Sequence, residues 1–220
     1  MNTFMRVLVV SLLCISSARA GNLIVNGNFD TGLAAGTCVY GTTTVSGWKI
    51  LAGNVDIGAA GCYGLDYGAD PYGPNAITPV IGGHFASLTG SNGGNNVAVL
   101  YQDVPTKVGT VYQLTFYFGG NFEWIYNDCT ADCLPNDGPL KAMQLYVNSV
   151  LIQTYTMNTA DGVAAPQWVL GTYTFVATST TTVISFHSLN GTGSVADPNG
   201  MPAQPSDFGP LLVGVSLFAL

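Results

Sequence analysis

The chain has 220 residues, of which only 8% are charged, with 12 Asp or Glu against 5 Lys or Arg. An acidic chain this poor in cations has no basic patch with which to displace phosphate counterions, so nucleic acid and anionic membrane surfaces are excluded as partners. Lys, Arg and Glu, the usual solvent face of helices, are scarce, while 28 Gly and 11 Pro punctuate runs of Thr, Val, Tyr and Phe, a composition of strands and turns.

Residues 1–20 read as an export signal. Arg6 precedes an apolar run over residues 7–15 that only Ser11 interrupts, and Ala18-Arg19-Ala20 has the small-x-small form of a signal peptidase site. The run is too short to span a bilayer, which takes about 20 residues. No membrane span is therefore expected, and the mature chain is expected to begin at Gly21 and to be secreted, to the extracellular space or the cell surface. Loss of the leader removes both arginines and leaves Lys49, Lys107 and Lys141 against eleven Asp and one Glu. Residues 21–220 are long enough for one large all-β domain with its own core.

Next in chain order, Asn22-Leu23-Ile24-Val25-Asn26-Gly27-Asn28-Phe29-Asp30 reads as an opening strand and turn. Residues 58–81 then pack Gly, Pro and Asp around Tyr63, Tyr67 and Tyr72 with few aliphatics, which reads as a long surface loop tethered by Cys62. Loops of that length are often where binding resides. Over residues 111–118, Tyr112, Leu114, Phe116 and Phe118 share one face of a strand and Val111, Gln113, Thr115 and Tyr117 the other; the even-numbered face is expected in the core. A second loop, 119–139, carries Glu123, Trp124 and Tyr126.

Met143, Leu145 and Val147 alternate with Gln144 and Tyr146 before Asn148-Ser149, which reads as a hairpin turn into residues 150–156. Residues 172–177 and 181–189 suggest a further hairpin across Ser179-Thr180. The third loop, 190–208, contains Asn190-Gly191-Thr192, a glycosylation acceptor in a host that modifies exported chains. Gly209-Pro210-Leu211-Leu212-Val213-Gly214-Val215-Ser216-Leu217 closes the chain as a strand expected to lie beside the first. Strands separated by loops, with no helices between them, predict a single antiparallel β-sandwich.

Four cysteines remain after the leader, Cys38, Cys62, Cys129 and Cys133. An even count behind an export signal points to disulfides. Of the three possible pairings, the most local one, Cys38 with Cys62 and Cys129 with Cys133, closes the two loops with the least core of their own. Zinc is a poor competitor, because a Cys-x3-Cys pair with only His84 and His187 in the chain fits no usual ligand spacing.

These segments together resemble a known family. Residues 22–30 resemble the "NLIxNGxF" opening of galactose-binding-domain-like jelly rolls, closest to choice-of-anchor C proteins and their plant cell-wall relatives. Gly47-Trp48 with Gly53-Asn54-Val55-Asp56, the stretch from Gln102-Asp103-Val104-Pro105 to Phe116, Gly120-Asn121, residues 168–175 and the closing Gly209-Pro210 segment follow in the family's order. The resemblance implies a galactose-binding-like jelly roll and a secreted, non-enzymatic module for carbohydrate or extracellular matrix, with a polysaccharide or glycoprotein as partner.

Two departures bear on what is carried over. In related modules an acidic residue of the last strand joins the carboxylate after "NGxF" in a structural calcium site. Here Val213 and Gly214 occupy that stretch of the last strand, so Asp30 is the one matching ligand and calcium the one cofactor implied. The other role for Asp30 is to accept hydrogen bonds from backbone N–H groups in its turn. Family members also often continue into a sorting tail, whereas this chain ends at Ala219-Leu220, so no sorting-tail anchor is expected. Residues 199–220 loosely fit a glycolipid-attachment signal, but the closing-strand motif accounts for them better.

Catalytic patterns are weak. Glu123, with Asp128 and Asp132 nearby, offers the carboxylates a glycosidase would need, yet all lie in one loop and read as solvated charge. No Gly-x-Ser-x-Gly elbow, Walker loop or metalloprotease motif is present. Binding is better supported, since sugars stack on aromatic rings and take hydrogen bonds from amides and hydroxyls. Two surfaces offer this: a loop rim with Trp124 and Tyr126, and an outward sheet face bearing Tyr117, Gln144, Tyr146 and His187 together with Gln113 and Thr115. Trp48 and Trp168 are expected in the core. The alternative is a structural or adhesive surface protein that binds other protein chains and has no sugar site.

Overall fold

A strand that covers a core with one face buries every second side chain. The computed structural model, which describes residues 21–60, 62, 79–90, 97–121, 140–159, 168–190 and 209–220, shows that alternation on both sides of one core. The described strands are β1 (Val39–Thr42), β2 (Lys49–Ala52), β3 (Val55–Ala59), β4 (His84–Ser87), β5 (Val99–Pro105), β6 (Val111–Gly120), β7 (Leu140–Val147), β8 (Val150–Asn158), β9 (Val169–Val176), β10 (Thr181–Ser188) and β11 (Pro210–Ala219). They form a six-stranded sheet, β1-β3-β4-β11-β6-β9, packed on a five-stranded sheet, β2-β5-β10-β7-β8. All pairs are antiparallel, and no helix occurs among the described residues. The fold is an antiparallel β-sandwich of the jelly-roll kind, as the sequence implied.

Tyr112, Leu114, Phe116 and Phe118 of β6 are buried, with Leu212, Val215 and Leu217 of β11, against Met143, Leu145 and Val147 of β7 and Ile184 and Phe186 of β10. Each such side chain contributes roughly 1.5–3 kcal/mol by leaving water. Phe116 sits at the centre, meeting Phe186 edge-on at 5.0 Å and Tyr155 at 5.1 Å. Gly171 of β9 lies against it, and a Cβ there would collide with the ring.

The first and last segments do lie side by side, but the first is not a strand. Leu23 N donates to Leu217 O at 2.9 Å, Val215 N donates to Gly27 O at 3.0 Å, and Asn22 Oδ1 accepts from Leu217 N at 2.8 Å. Residues 24–29 are turn and bend, with left-handed backbone at Asn26 and Phe29 (φ 53° and 60°). The apolar run of residues 23–25 is too short to outlast that turn, so the segment pairs by isolated hydrogen bonds rather than as a ladder. Gly27 is required there, because a Cβ would fall on the carbonyl of Val215. Trp48 is in the core as expected, stacked on Phe29 at 5.7 Å, and its Nε1 donates to Asn26 O at 3.0 Å.

Asn148 and Ser149 form the β7–β8 turn with φ of 50° and 64°, the two-residue geometry whose twist matches paired strands. Asn148 Oδ1 also accepts from Val183 N at 2.8 Å, tying the turn to β10. The second expected hairpin is overturned. β9 pairs with β6, whereas β10 pairs with β5 and β7 in the other sheet. Residues 177–180 cross between layers, held by Ala177 N to Thr110 O at 3.0 Å and Thr106 N to Thr180 O at 2.9 Å. Two amphipathic strands joined by a short link satisfy the same alternation in two sheets as in one, provided the link is anchored.

Cys38 and Cys62 are disulfide-bonded with Cα atoms 5.6 Å apart, which joins β1 to the turn after β3. Cys129 and Cys133 lie outside the described residues, as do residues 1–20, most of 58–81, nearly all of 119–139 and all but Asn190 of 190–208.

Candidate functional site

The outward face of the five-stranded sheet carries three aligned rows. Register across β2, β5, β10, β7 and β8 places Lys49, Tyr101, Ser185, Tyr146 and Leu151 side by side. A second row runs Val99, His187, Gln144 and Thr154, and a third sets Asp103 beside Val183. From these rows Tyr101, Ser185, Tyr146 and His187 line a groove of about 320 Å³, with Leu51 and Val99 at one end and Val183 and Ser149 at the other. Tyr101 and Tyr146 flank the buried Ser185 on strands two apart, a backbone separation of about 10 Å.

The rings are fixed by their neighbours. His187 stacks on Tyr146 with centroids 4.2 Å apart, and its Nε2 is 3.1 Å from Ser185 Oγ. Tyr146 OH donates to Gln144 Oε1 at 2.8 Å, and Gln144 Nε2 donates to Thr154 Oγ1 at 3.3 Å. Burial holds the His187 pKa below its ordinary 6.5. Lys49 Nζ lies 2.6 Å from Asp103 Oδ2 and 5.5 Å from the centre of the Tyr101 ring. Its hydrogen bond to Asp103, and then the Asp103 charge, raise its pKa above the ordinary 10.5. An exposed pair of this kind adds little stability, but it neutralises the cation beside the groove.

Of the side chains singled out in the sequence, Tyr146, Gln144 and His187 are brought together here. Tyr117 is not. It is on β6 in the other sheet, whose outward face looks the opposite way, and it packs beside Phe85, Leu211, Val213 and Trp168. Gln113 and Thr115 share its sheet, so the expected single face is two faces of one sandwich. Trp168 belongs to that smaller cluster, against Phe85 at 6.1 Å, rather than to the main core. Trp124, Tyr126 and Glu123 lie outside the described residues.

Tyr101, Ser185, Leu51 and Lys49 were not singled out. A signal existed in β5, where Val99, Tyr101 and Asp103 alternate with Leu100, Gln102 and Val104. It was masked because Gln102, a polar side chain, points inward and is buried.

Asp30 Oδ1 accepts from Gly83 N at 2.9 Å and lies 2.8 Å from His84 Nδ1. Calcium takes six to eight oxygens, whereas this carboxylate is already engaged by two N–H donors, and Val213 on the last strand is buried among apolar side chains. No group of three or more His, Cys, Asp or Glu that could hold a metal occurs among the described residues. The described residues alone do not make up a calcium site around Asp30.

Asn190 is buried, with Oδ1 accepting from Ala142 N at 2.6 Å and Nδ2 donating to Leu140 O at 2.7 Å. It braces β7, and the nitrogen that a glycan would take is committed to that bond.

The molecule is thus a two-sheet jelly-roll sandwich with an aromatic groove on one sheet face. Among solved structures it is similar to a carbohydrate-binding module, CBM61, described in complex with beta-1,4-galactotriose, at 15% identity over 90% of this chain and 99% of that one, with a TM-score of 0.47. It is also similar to a family 35 carbohydrate-binding module from Clostridium thermocellum (10% identity, 84% and 99% covered, TM-score 0.42). The K2 cleaved adhesin domain of Lys-gingipain is a third such structure (14%, 88% and 97%, TM-score 0.46). No protein-family model matches the chain, and no curated protein matches it.

Proposed function

We propose that the chain is an exported, non-enzymatic carbohydrate-binding module that takes an uncharged saccharide in the groove of the five-stranded sheet. The observation that carries the proposal is the Tyr101–Ser185–Tyr146 row, two tyrosines on strands whose backbones are about 10 Å apart, with a hydroxyl-bearing floor between them. That spacing admits one sugar ring between the tyrosines. Ser185 and His187, which line the groove, supply hydrogen-bonding groups of both kinds, and Gln144 holds Tyr146 in place beside them. Among the described residues the cation beside the groove, Lys49, is paired with Asp103 rather than left to select an acidic sugar, and the surplus of Asp disfavours one.

The leader-like residues 1–20 and the Cys38–Cys62 bridge support export to an oxidising compartment. The likeness of the sequence motifs to choice-of-anchor C proteins supports a polysaccharide or glycoprotein of the cell surface or matrix as partner. Ser185 and His187 are within hydrogen-bond distance, but Asp103 on the same face is held by Lys49, so among the described residues no acid is seen to orient the imidazole as acyl transfer requires.

Retention on a panel of insoluble neutral polysaccharides, with Tyr101→Ala and Tyr146→Ala beside the parent protein, tests the reading. Binding should occur and fall at least tenfold in each variant. Failure to retain any neutral polysaccharide, or retention indifferent to both substitutions, removes the groove as a saccharide site.

A further inference from the structure

Unpaired N–H and C=O groups along a sheet edge template pairing with another chain, and proteins blunt such edges by shortness, charge, proline or bulges. The two sides of this sandwich differ in that respect. On one side the edge strands β1 and β2 have four residues each. β1 is also tied by the Cys38–Cys62 bridge, and β2 carries Lys49. On the other side β8 and β9 are nine and eight residues long, and neither VLIQTYTMN nor VLGTYTFV contains a charge or a proline.

Among the described residues no strand pairs with the outer edge of β8 or β9, and both edges run along the same flank, because Tyr155 of β8 meets Phe116 and Phe118 of β6, the strand next to β9. The core leaks there. Ile152, Tyr155 and Met157 of β8 and Tyr173 and Phe175 of β9 are only partly buried, and Val169, Leu170 and Val176 are exposed. Of the two edges β9 is the better template. It keeps unbroken register with β6 from Val111↔Val176 to Phe118↔Val169, whereas the β7–β8 pairing shifts between Leu145 and Tyr146.

We infer that β9 pairs antiparallel with β9 of a second copy of this chain, joining two six-stranded sheets into one. Charge permits a second copy here and at few other places. Acidic chains repel one another, so self-association is confined to a strip without carboxylates, and β9 is such a strip. Size agrees. Eight residues span about 26 Å, and across two layers about 10 Å apart with their side chains the flank offers roughly 500 Å² per copy, which reaches the ~1,000 Å² total of a specific interface. An antiparallel self-pairing places its two-fold axis normal to the sheet. The two five-stranded sheets then lie on one side, and both grooves open in one direction. The gain in avidity on a polymer rests on the saccharide reading, whereas the dimer itself does not.

Sedimentation equilibrium of the purified protein from low micromolar to near millimolar concentration tests this. The parent protein should reach twice the single-chain mass. Thr172 and Thr174 are exposed on β9, so a T172K/T174K variant should keep its fold while lysines face lysines across the axis, and stay at single-chain mass throughout. Mixing it with a T172E/T174E variant should restore the doubled mass. Amides of residues 169–176 should gain hydrogen-exchange protection with concentration in the parent protein, a reading that needs no variant. Single-chain mass at every concentration overturns the inference and leaves the edge to a different protein or to solvent. So does a doubled mass that T172K/T174K retains with its circular dichroism unchanged.

Discussion

Gln102 and Val25 are locked together by two hydrogen bonds, Val25 N to Gln102 Oε1 at 2.8 Å and Gln102 Nε2 to Val25 O at 2.9 Å. The same Nε2 donates to Gly47 O at 2.8 Å. One buried amide on β5 therefore replaces the ladder that residues 24–29 do not form.

Replacing Gln102 by Leu keeps the volume but strands the N–H and C=O of Val25 away from a partner. The Gln102–Val25 bonds are part-buried, and a typical hydrogen bond contributes about 0.5–1.5 kcal/mol net, so Gln102→Leu should lower unfolding free energy by roughly 1–3 kcal/mol in urea titration. A loss below about 0.5 kcal/mol would mean that water takes over the amide's role.

Asn190 gives a second test. Asn190→Ala removes both bonds to β7, at Leu140 O and Ala142 N, and should cost about 2–3 kcal/mol. Expressed in a glycosylating host, the folded protein should carry no glycan at Asn190, which intact mass before and after glycosidase treatment reads directly. A glycan found there on folded material contradicts its buried role.

The Cys38–Cys62 bridge closes a loop with a sequence separation of 24. Loop-closure entropy for that length is worth about 3 kcal/mol. The double substitution Cys38→Ser with Cys62→Ser should lower the melting temperature accordingly and loosen β1 first, since β1 pairs only with β3 among the described strands. Equal hydrogen-exchange rates in β1 with and without the bridge would argue against this.

Acid should weaken the fold through His187. Its folded pKa is depressed by burial below 6.5, so on acidification the unfolded chain takes the proton first. Stability is then complete above the unfolded value and declines as pH falls below about 6.5. His187→Gln should flatten that decline relative to the parent protein in melts between about pH 5 and 7.5. A saccharide covering His187 would bury it further, so affinity should fall in the same direction. An identical pH profile in parent and variant assigns the acid sensitivity elsewhere.

How far the sequence foretold the site depended on the range of each interaction. The inward parity of Tyr112, Leu114, Phe116 and Phe118, and of Met143, Leu145 and Val147, is written in local alternation and is found as expected. The Asn148-Ser149 turn is equally local, set by two residues with positive φ. Sheet membership is not local. Tyr117 and Tyr146 look equivalent in sequence, each an outward aromatic in an amphipathic strand, yet they end on opposite faces of the sandwich.

Residues alone thus determined an all-β chain and the buried faces of the two strands just named, and they favoured the local cysteine pairing among three without deciding it. Only the tertiary structure decided that Tyr101, Ser185 and Tyr146 stand in one row, that β9 and β10 part into different layers, and that Asp30 meets His84. The physical reason is that a strand's alternation fixes which face it buries. Which strands become neighbours is settled by crossovers and by anchors such as Gln102, whose polar side chain is stable inside only because a distant backbone segment is there to satisfy it.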